Sequence, residues 1–167
     1  MAKTKITTQQ MVLMAVLIAA NVILSRFLSI AAWNIKIGFA FVPVVLAALY
    51  MGAPQAALVG ALGDLIGAVL FPIAAYFPGF TVTAFLTGLV YGLFLHKKQS
   101  NIAILGAVLV TEIGGSLLLN TLWISILFGS PFVPLMATRI FQVVIMGIVE
   151  FLSIRCMASI TIKAARA

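Results

Sequence analysis

The sequence predicts an all-α integral membrane protein: one domain over residues 1–167, with six transmembrane helices and both termini in the cytoplasm. Three observations carry that reading. Hydrophobic residues make up 64% of the chain and charged residues 8%, against about 45–50% and about 25% in soluble domains. The apolar runs are too long for core strands or buried helices, and short breaks of Gly, Pro or charge separate them. The basic residues gather in alternate breaks, which fixes an orientation.

The elements follow in order. Met1–Gln10 is polar and carries Lys3 and Lys5. The apolar run after it reaches Ser25-Arg26-Phe27 without a small-residue cleavage site near its end. It reads as an uncleaved first helix over about 7–28 rather than a signal peptide. Trp33-Asn34-Ile35-Lys36-Ile37-Gly38 is expected to be an interfacial loop, because Trp sits at the headgroup level. The second span, about 39–51, is short and contains Pro43, a candidate kink.

Gly52-Ala53-Pro54 is a tight turn, and the third span runs over about 54–70 with proline in its first turn. An aromatic, proline-punctuated loop covers Phe71–Gly79. The fourth span, about 80–95, ends at the polar loop His96-Lys97-Lys98-Gln99-Ser100-Asn101. The fifth is placed at about 102–123 and the sixth at about 133–157, with Phe128-Gly129-Ser130-Pro131 between them. Lys3, Lys5, Lys97, Lys98, Arg155, Lys163 and Arg166 then share one side, which becomes the cytoplasmic one. Topology thus accounts for the net charge of +7. No basic run interleaved with aromatics supports nucleic-acid binding. Cys156 alone makes no internal disulfide and reads as an inert thiol. The two halves show no repeat of the inverted-transporter kind.

The stretch from Gly60 to Thr83 holds Asp64 among glycines and aliphatics. A carboxylate in hydrocarbon costs roughly 2.5–3.5 kcal/mol on insertion scales and needs a partner. At about 1.5 Å per residue, Asp64 and Glu112 are expected near mid-membrane. Asn21, Ser25 and Arg26 fall in the outer half of the first helix, Thr81 and Thr83 at the outer start of the fourth. Asn120 ends the fifth, and Arg139 and Gln142 lie in the outer half of the sixth. Pairs such as Asp64–Arg26 and Glu112–Arg139 would serve as glue between helices. Glue has no reason to prefer the outer half, whereas a binding cavity open to the outside does. Glu150 lies deeper, and Arg155 follows it. It is expected to make a local structural pair or an intersubunit contact.

Catalytic signatures are missing. There is no phosphate loop and no metal-ligand spacing. The only histidine, His96, sits in a polar loop far in depth from the acids, which argues against a Ser–His triad. The chain reads as a non-enzyme that needs neither cofactor nor metal. Acids below and cations above suit a polarised ligand. A carboxylate matches two parallel N–H donors on a heterocycle edge, and Lys36, Arg26 and Arg139 match an anionic tail. Trp33, Tyr76, Phe77, Phe80 and Trp123 are placed to stack on a flat ring. A pterin–aminobenzoate–glutamate molecule has this layout, but the residues do not choose it over thiamine, biotin or a nucleobase. A small channel or free-standing carrier is the alternative class.

Four runs carry a resemblance: Ser25-Arg26-Phe27-Leu28-Ser29-Ile30, Lys36-Ile37-Gly38-Phe39, Gly60-Ala61-Leu62-Gly63-Asp64-Leu65-Ile66-Gly67 and Tyr76-Phe77-Pro78-Gly79-Phe80-Thr81. With them the chain resembles the substrate-binding S component of an energy-coupling factor (ECF) transporter, and within that superfamily its folate-specific members. The resemblance implies capture of folate from outside by a six-helix bundle in a bacterial cell membrane. It also implies assembly with a transmembrane T component and two ATPases, which supply the energy. The family's small-residue pattern for packing on the T component corresponds here to Ala15 and Ala19. On the same basis Asp64 is expected at the pterin edge, Arg26 in polar contacts, and Lys36 at the glutamate tail. Tyr76, Phe77, Phe80, Thr83, Glu112, Asn120, Trp123, Arg139 and Gln142 complete the expected pocket.

Overall fold

The computed structural model describes residues 7–31, 35–73 and 75–164. Among them are six helices and one small hairpin. Lys3, Lys5, Trp33, Asn34 and Arg166, all used in the topology and pocket expectations, lie outside the described residues.

Helix α1 spans Thr8–Arg26. Thr7 caps it: its side chain accepts from the Gln10 amide while the Gln10 side chain accepts from the Thr7 amide. Met14, Leu17, Asn21 and Ser25 recur at helical spacing and are buried against the bundle. Ala15, Val16, Ala19 and Ile23 face outward.

The expected interfacial loop is instead partly ordered as a hairpin. Strand β1, Ser29–Ala31, pairs antiparallel with β2, Lys36–Gly38, in the register Ser29↔Gly38, Ile30↔Ile37, Ala31↔Lys36. Two β-branched residues, Ile30 and Ile37, face each other across the pair. Gly38 allows the close approach, since a Cβ there would lie 2.7 Å from Ser29 Cβ.

Helix α2, Phe41–Met51, has 11 residues, about 16 Å of helix, far short of the ~30 Å hydrocarbon core. It is packed on nearly all sides, with Val45, Ala47 and Ala48 fully buried. Pro43 sits in its first turn, where no intrahelical N–H is needed. A proline there removes no helix hydrogen bond, so its position does not require a kink. Gly52, at φ 96°, makes the turn into α3, Ala53–Leu70. This left-handed conformation favours glycine.

Helix α4, Pro78–Leu95, lies along α3. A Cβ at Gly88 would strike the Ala56–Ala57 backbone, one at Gly92 the Ala53 backbone, and one at Gly60 would come 2.6 Å from the Ala84 carbonyl oxygen. Missing side chains thus let the two backbones meet, as close helix packing in membranes requires. Gly63 and Gly67 instead make room for the Asn21 and Arg26 side chains of α1.

Helix α5 is continuous over Asn101–Phe128, longer than the expected 102–123. Ser100 caps its start by accepting from the Ala103 amide. Its middle, Val110–Leu119, winds as a π-helix, a wider turn often found at functional sites. Gly129, at φ 63°, ends it. Helix α6, Phe132–Ala164, has 33 residues, about 50 Å, and outruns the expected 133–157 at both ends.

Five of the six helices are long and apolar enough to cross a membrane; α2 is the exception. Val12, Leu93, Ile102 and Phe141 are among many large apolar side chains exposed on the perimeter. A soluble monomer does not display so much continuous apolar surface, whereas a lipid-facing one must. Lys97, Lys98 and Arg155 are exposed at the end opposite the hairpin.

Candidate functional site

A cavity of about 410 Å³ runs from the hairpin, Ile73 and residues 75–77 down to Tyr91 and Glu150. That is within the size range of small-molecule sites. Arg26, Lys36, Asp64, Tyr76, Phe77, Phe80, Thr83, Glu112, Asn120, Arg139 and Gln142 all line it. Eleven of the twelve residues expected to bind ligand therefore converge. Trp123 stands one layer back. Its indole N–H donates to Thr83 Oγ1 at 3.0 Å, and its ring lies 5.6 Å from that of Phe77. Phe77 in turn meets Phe80 edge-on at 6.3 Å. Gly79 is required here, because a Cβ would lie 2.5 Å from Trp123 and 2.7 Å from Phe77.

The acids separate in depth, which changes the expected layout. Asp64 is six residues before Leu70, the last residue of α3, about 9 Å from that end. It lies about one turn below Arg26, the last residue of α1, whose side chain reaches down to it from the mouth. Arg26 Nη2 is 3.6 Å from Asp64 Oδ1 and donates to the Asp64 carbonyl at 3.3 Å. Thr81 donates to Asp64 Oδ2 at 2.8 Å. Thr81 has one proton to give, so Tyr76 is the donor in its 3.3 Å contact with Thr81. The partner of Asp64 is thus Arg26, supported by a Tyr76–Thr81 chain from the loop.

The floor is formed by Glu112 and Glu150. Tyr91 donates to Glu150 Oε2 at 2.7 Å, and the Thr111 hydroxyl lies 3.2 Å from that of Tyr91. The Glu112 and Glu150 carboxyl groups are near enough to influence each other. The expected pairing of Glu150 with Arg155 is not formed: Arg155 is exposed and Glu150 buried. Five residues apart on a helix, the two point about 140° away from each other. Neither Tyr91 nor Glu150 was anticipated at the site. A tyrosine hydroxyl and a carboxylate both deep in apolar spans are the signal that would have found them.

The π-helical turn carries Glu112 and the Ser116 carbonyl toward α6, where Arg139 Nη2 donates to that carbonyl at 3.1 Å. Arg139 and Glu112 are near enough for their charges to interact. Two amides brace the mouth. Asn21 Nδ2 donates to the Ala40 carbonyl at 2.7 Å, and Gln142 Nε2 to the Lys36 carbonyl at 2.8 Å. They tie the hairpin end to α1 and α6.

Lys36 projects from β2 into the mouth. Its side chain reaches water, yet the walls around it partly desolvate the ammonium. That desolvation, followed by repulsion from Arg26, lowers its pKa to about 8, with Asp64 opposing. A lysine so placed gains from an incoming anion. Ala15 and Ala19 are remote from the cavity, exposed on the outer face of α1.

Three comparisons with known proteins bear on this arrangement. The family model described as ECF transporter, substrate-specific component, matches residues 9–159. The chain is 39% identical over 137 residues to a folate transporter FolT of Clostridium novyi (strain NT), covering 81% of this chain and 80% of that one. It is 35% identical over 130 residues to a folate transporter FolT of Leuconostoc mesenteroides, covering 74% and 68%. A crystal structure of FolT bound with folic acid superposes with TM-score 0.87 at 33% identity, covering 92% of this chain and 94% of that one. The chain belongs to the family of ECF transporter substrate-specific components.

The Arg26–Asp64 pair generates a prediction. Arg26→Gln and Asp64→Asn should each lower stability in detergent, by about 1–3 kcal/mol. Their effects should be less than additive, with a coupling of about 0.5–3 kcal/mol. A double-mutant cycle followed by thermal denaturation measures this. Strict additivity would remove the pair as the link between α1 and α3.

Proposed function

We propose that this member of the substrate-specific component family captures folate and hands it to an ATP-driven translocating partner. The observation that carries the reading is the cavity itself. It is elongated, floored by carboxyl groups, flanked by Phe77 and Phe80, and mouthed by Lys36 and Arg26. Folate has the matching order of groups: a donor-bearing ring, an aromatic linker and a dicarboxylate tail. The two relatives described as folate transporters, and the relative solved with folic acid, support the same ligand.

The topology proposed with it is six membrane passes in a bacterial cell membrane, α2 being the short one, with both termini cytoplasmic. Lys97, Lys98 and Arg155 at the end opposite the cavity mouth support that orientation. The mouth then faces the outside. Lys36 and Arg26 receive the tail carboxylates, and the rings of Phe77 and Phe80 flank the linker. Energy comes from a T component with two ATPases, and the Ala15–Ala19 face of α1 is the proposed contact. It is exposed, and its small side chains permit close helix approach.

Titration of purified protein with folate, in competition with thiamine, riboflavin and biotin, tests the ligand. We expect saturable folate binding that the other three do not displace. A well-folded sample with no saturable folate binding would reject the reading. The same titration has a defined pH dependence. Lys36 carries its charge below its pKa of about 8 and loses it above, and a bound carboxylate raises that pKa. Affinity should therefore hold below pH 8 and fall above it, by up to about tenfold per pH unit, until the raised pKa of the complex is passed. Lys36→Met should be weaker at pH 7 and flat across the window; an unchanged profile would place the tail elsewhere. For the partner contact, Ala15→Trp should leave folate binding intact and abolish uptake in cells that supply all the partners. Normal uptake would reject that face of α1.

A further inference from the structure

Along α5, the cavity wall includes a row of residues spaced by four: Glu112, Ser116, Asn120, Ile124 and Phe128. In an α-helix, at about 100° per residue, each step of four overshoots a full turn by about 40°. Such a row would fan over about 160°, and its first and last members would face nearly opposite ways. The π winding of Val110–Leu119 removes the fan. Its bonds reach one residue further than α bonds, so a turn takes more than four residues and the drift runs backwards there. The α-helical steps after Asn120 carry it forward again, and the row stays on the cavity side.

Two local features favour this winding. The Asn120 N–H bonds to the Gly115 carbonyl, five residues back. An α-helix would give that N–H to the Ser116 carbonyl, which here accepts from Arg139 Nη2 of α6 at 3.1 Å. A side chain that inserts into the i→i−4 ladder distorts a helix. Gly114 stands in the middle of the segment, and a Cβ there would meet nothing within 4 Å. Packing does not ask for glycine at 114; what glycine supplies is a weak preference for α winding.

We propose that Arg139 is a positioning residue that pins the π winding of α5, and that this winding aligns the α5 wall of the cavity. Arg139 is buried and reaches the Ser116 carbonyl from the neighbouring helix. Without it, that carbonyl returns to the Asn120 N–H, and the part of α5 beyond turns about the helix axis relative to Glu112. Trp123 is carried with it, away from Thr83 and Phe77. The pin itself needs no ligand; its effect on affinity rests on the folate reading.

The test follows Trp123 fluorescence in ligand-free protein, with Trp33→Phe as the common background so that Trp123 is the only indole. Arg139→Met should shift the emission maximum. Arg139→Lys, which keeps a donor, should reverse at least half of that shift. A residue that only contacted ligand would leave the ligand-free emission unmoved. In proteins that keep Trp33, affinity follows the fraction in the binding-competent winding, so folate should weaken by about tenfold or more in Arg139→Met and by less in Arg139→Lys. A wild-type emission maximum in Arg139→Met would overturn the pin, and so would an Arg139→Lys as displaced as Arg139→Met. If Arg139→Met does not fold, NMR of the wild-type protein decides. A coupling across the hydrogen bond from the Asn120 nitrogen to the Gly115 carbonyl supports the winding, and one to the Ser116 carbonyl overturns it. Failure of wild type to bind folate is a different result: it rejects the folate reading, and the emission of the ligand-free variants still decides the pin.

Discussion

Hydrocarbon cannot solvate a charge or an open hydrogen bond, and the internal architecture of this protein follows from that constraint. The chain has three acidic residues, and all three face the cavity wall rather than the perimeter. Each meets a partner on another helix: Asp64 the α1 arginine and an α4 threonine, Glu150 the α4 tyrosine, Glu112 the carboxyl of Glu150 and the charge of Arg139. The polar interior is therefore also the interhelical wiring. The cavity opens within it.

Close backbone contact makes this wiring possible. Glycines at 60, 88 and 92 bring α3 against α4, and Gly63 and Gly67 seat the Asn21 and Arg26 side chains of α1. The same economy appears at Gly79, whose missing side chain lets Trp123 press on Phe77 and reach Thr83. Packing by small residues thus positions polar groups that have little freedom of their own, which is how a preorganised site is held.

Much of this was legible in the sequence. The apolar runs gave the helices to within a few residues. The clustering of polar residues toward one end, with the aromatics at the mouth, picked out eleven residues that line the cavity. What escaped depends on tertiary context. The Ser29–Gly38 hairpin is too short to show a strand period. The π turn at Val110–Leu119 leaves no periodic signature in an all-apolar helix. Depth counted along the sequence put Asp64 beside Glu112, because it assumed equal, centred spans. Their neighbours on α4 set the two apart: Asp64 meets Thr81 near the start of that helix, whereas Thr111, next to Glu112, meets Tyr91 much further along it. Glu150 is expected from the sequence to make a local pair, with Arg155 following it, or an intersubunit contact, whereas the fold points it at Tyr91.

These displacements together reverse one feature of the proposed complex. The acid nearest the resemblance-bearing motif lies just below the mouth, and the acid with an open acceptor lies at the floor. The central claim is thus a direction: folate ring down toward α5 and α6, tail up toward the hairpin. An experimental structure of this protein with folic acid tests it most directly. The account predicts ring nitrogens within hydrogen-bonding distance of Glu112 and glutamate carboxylates near Lys36. A ring seated on Asp64, or a tail buried at the floor, would contradict it.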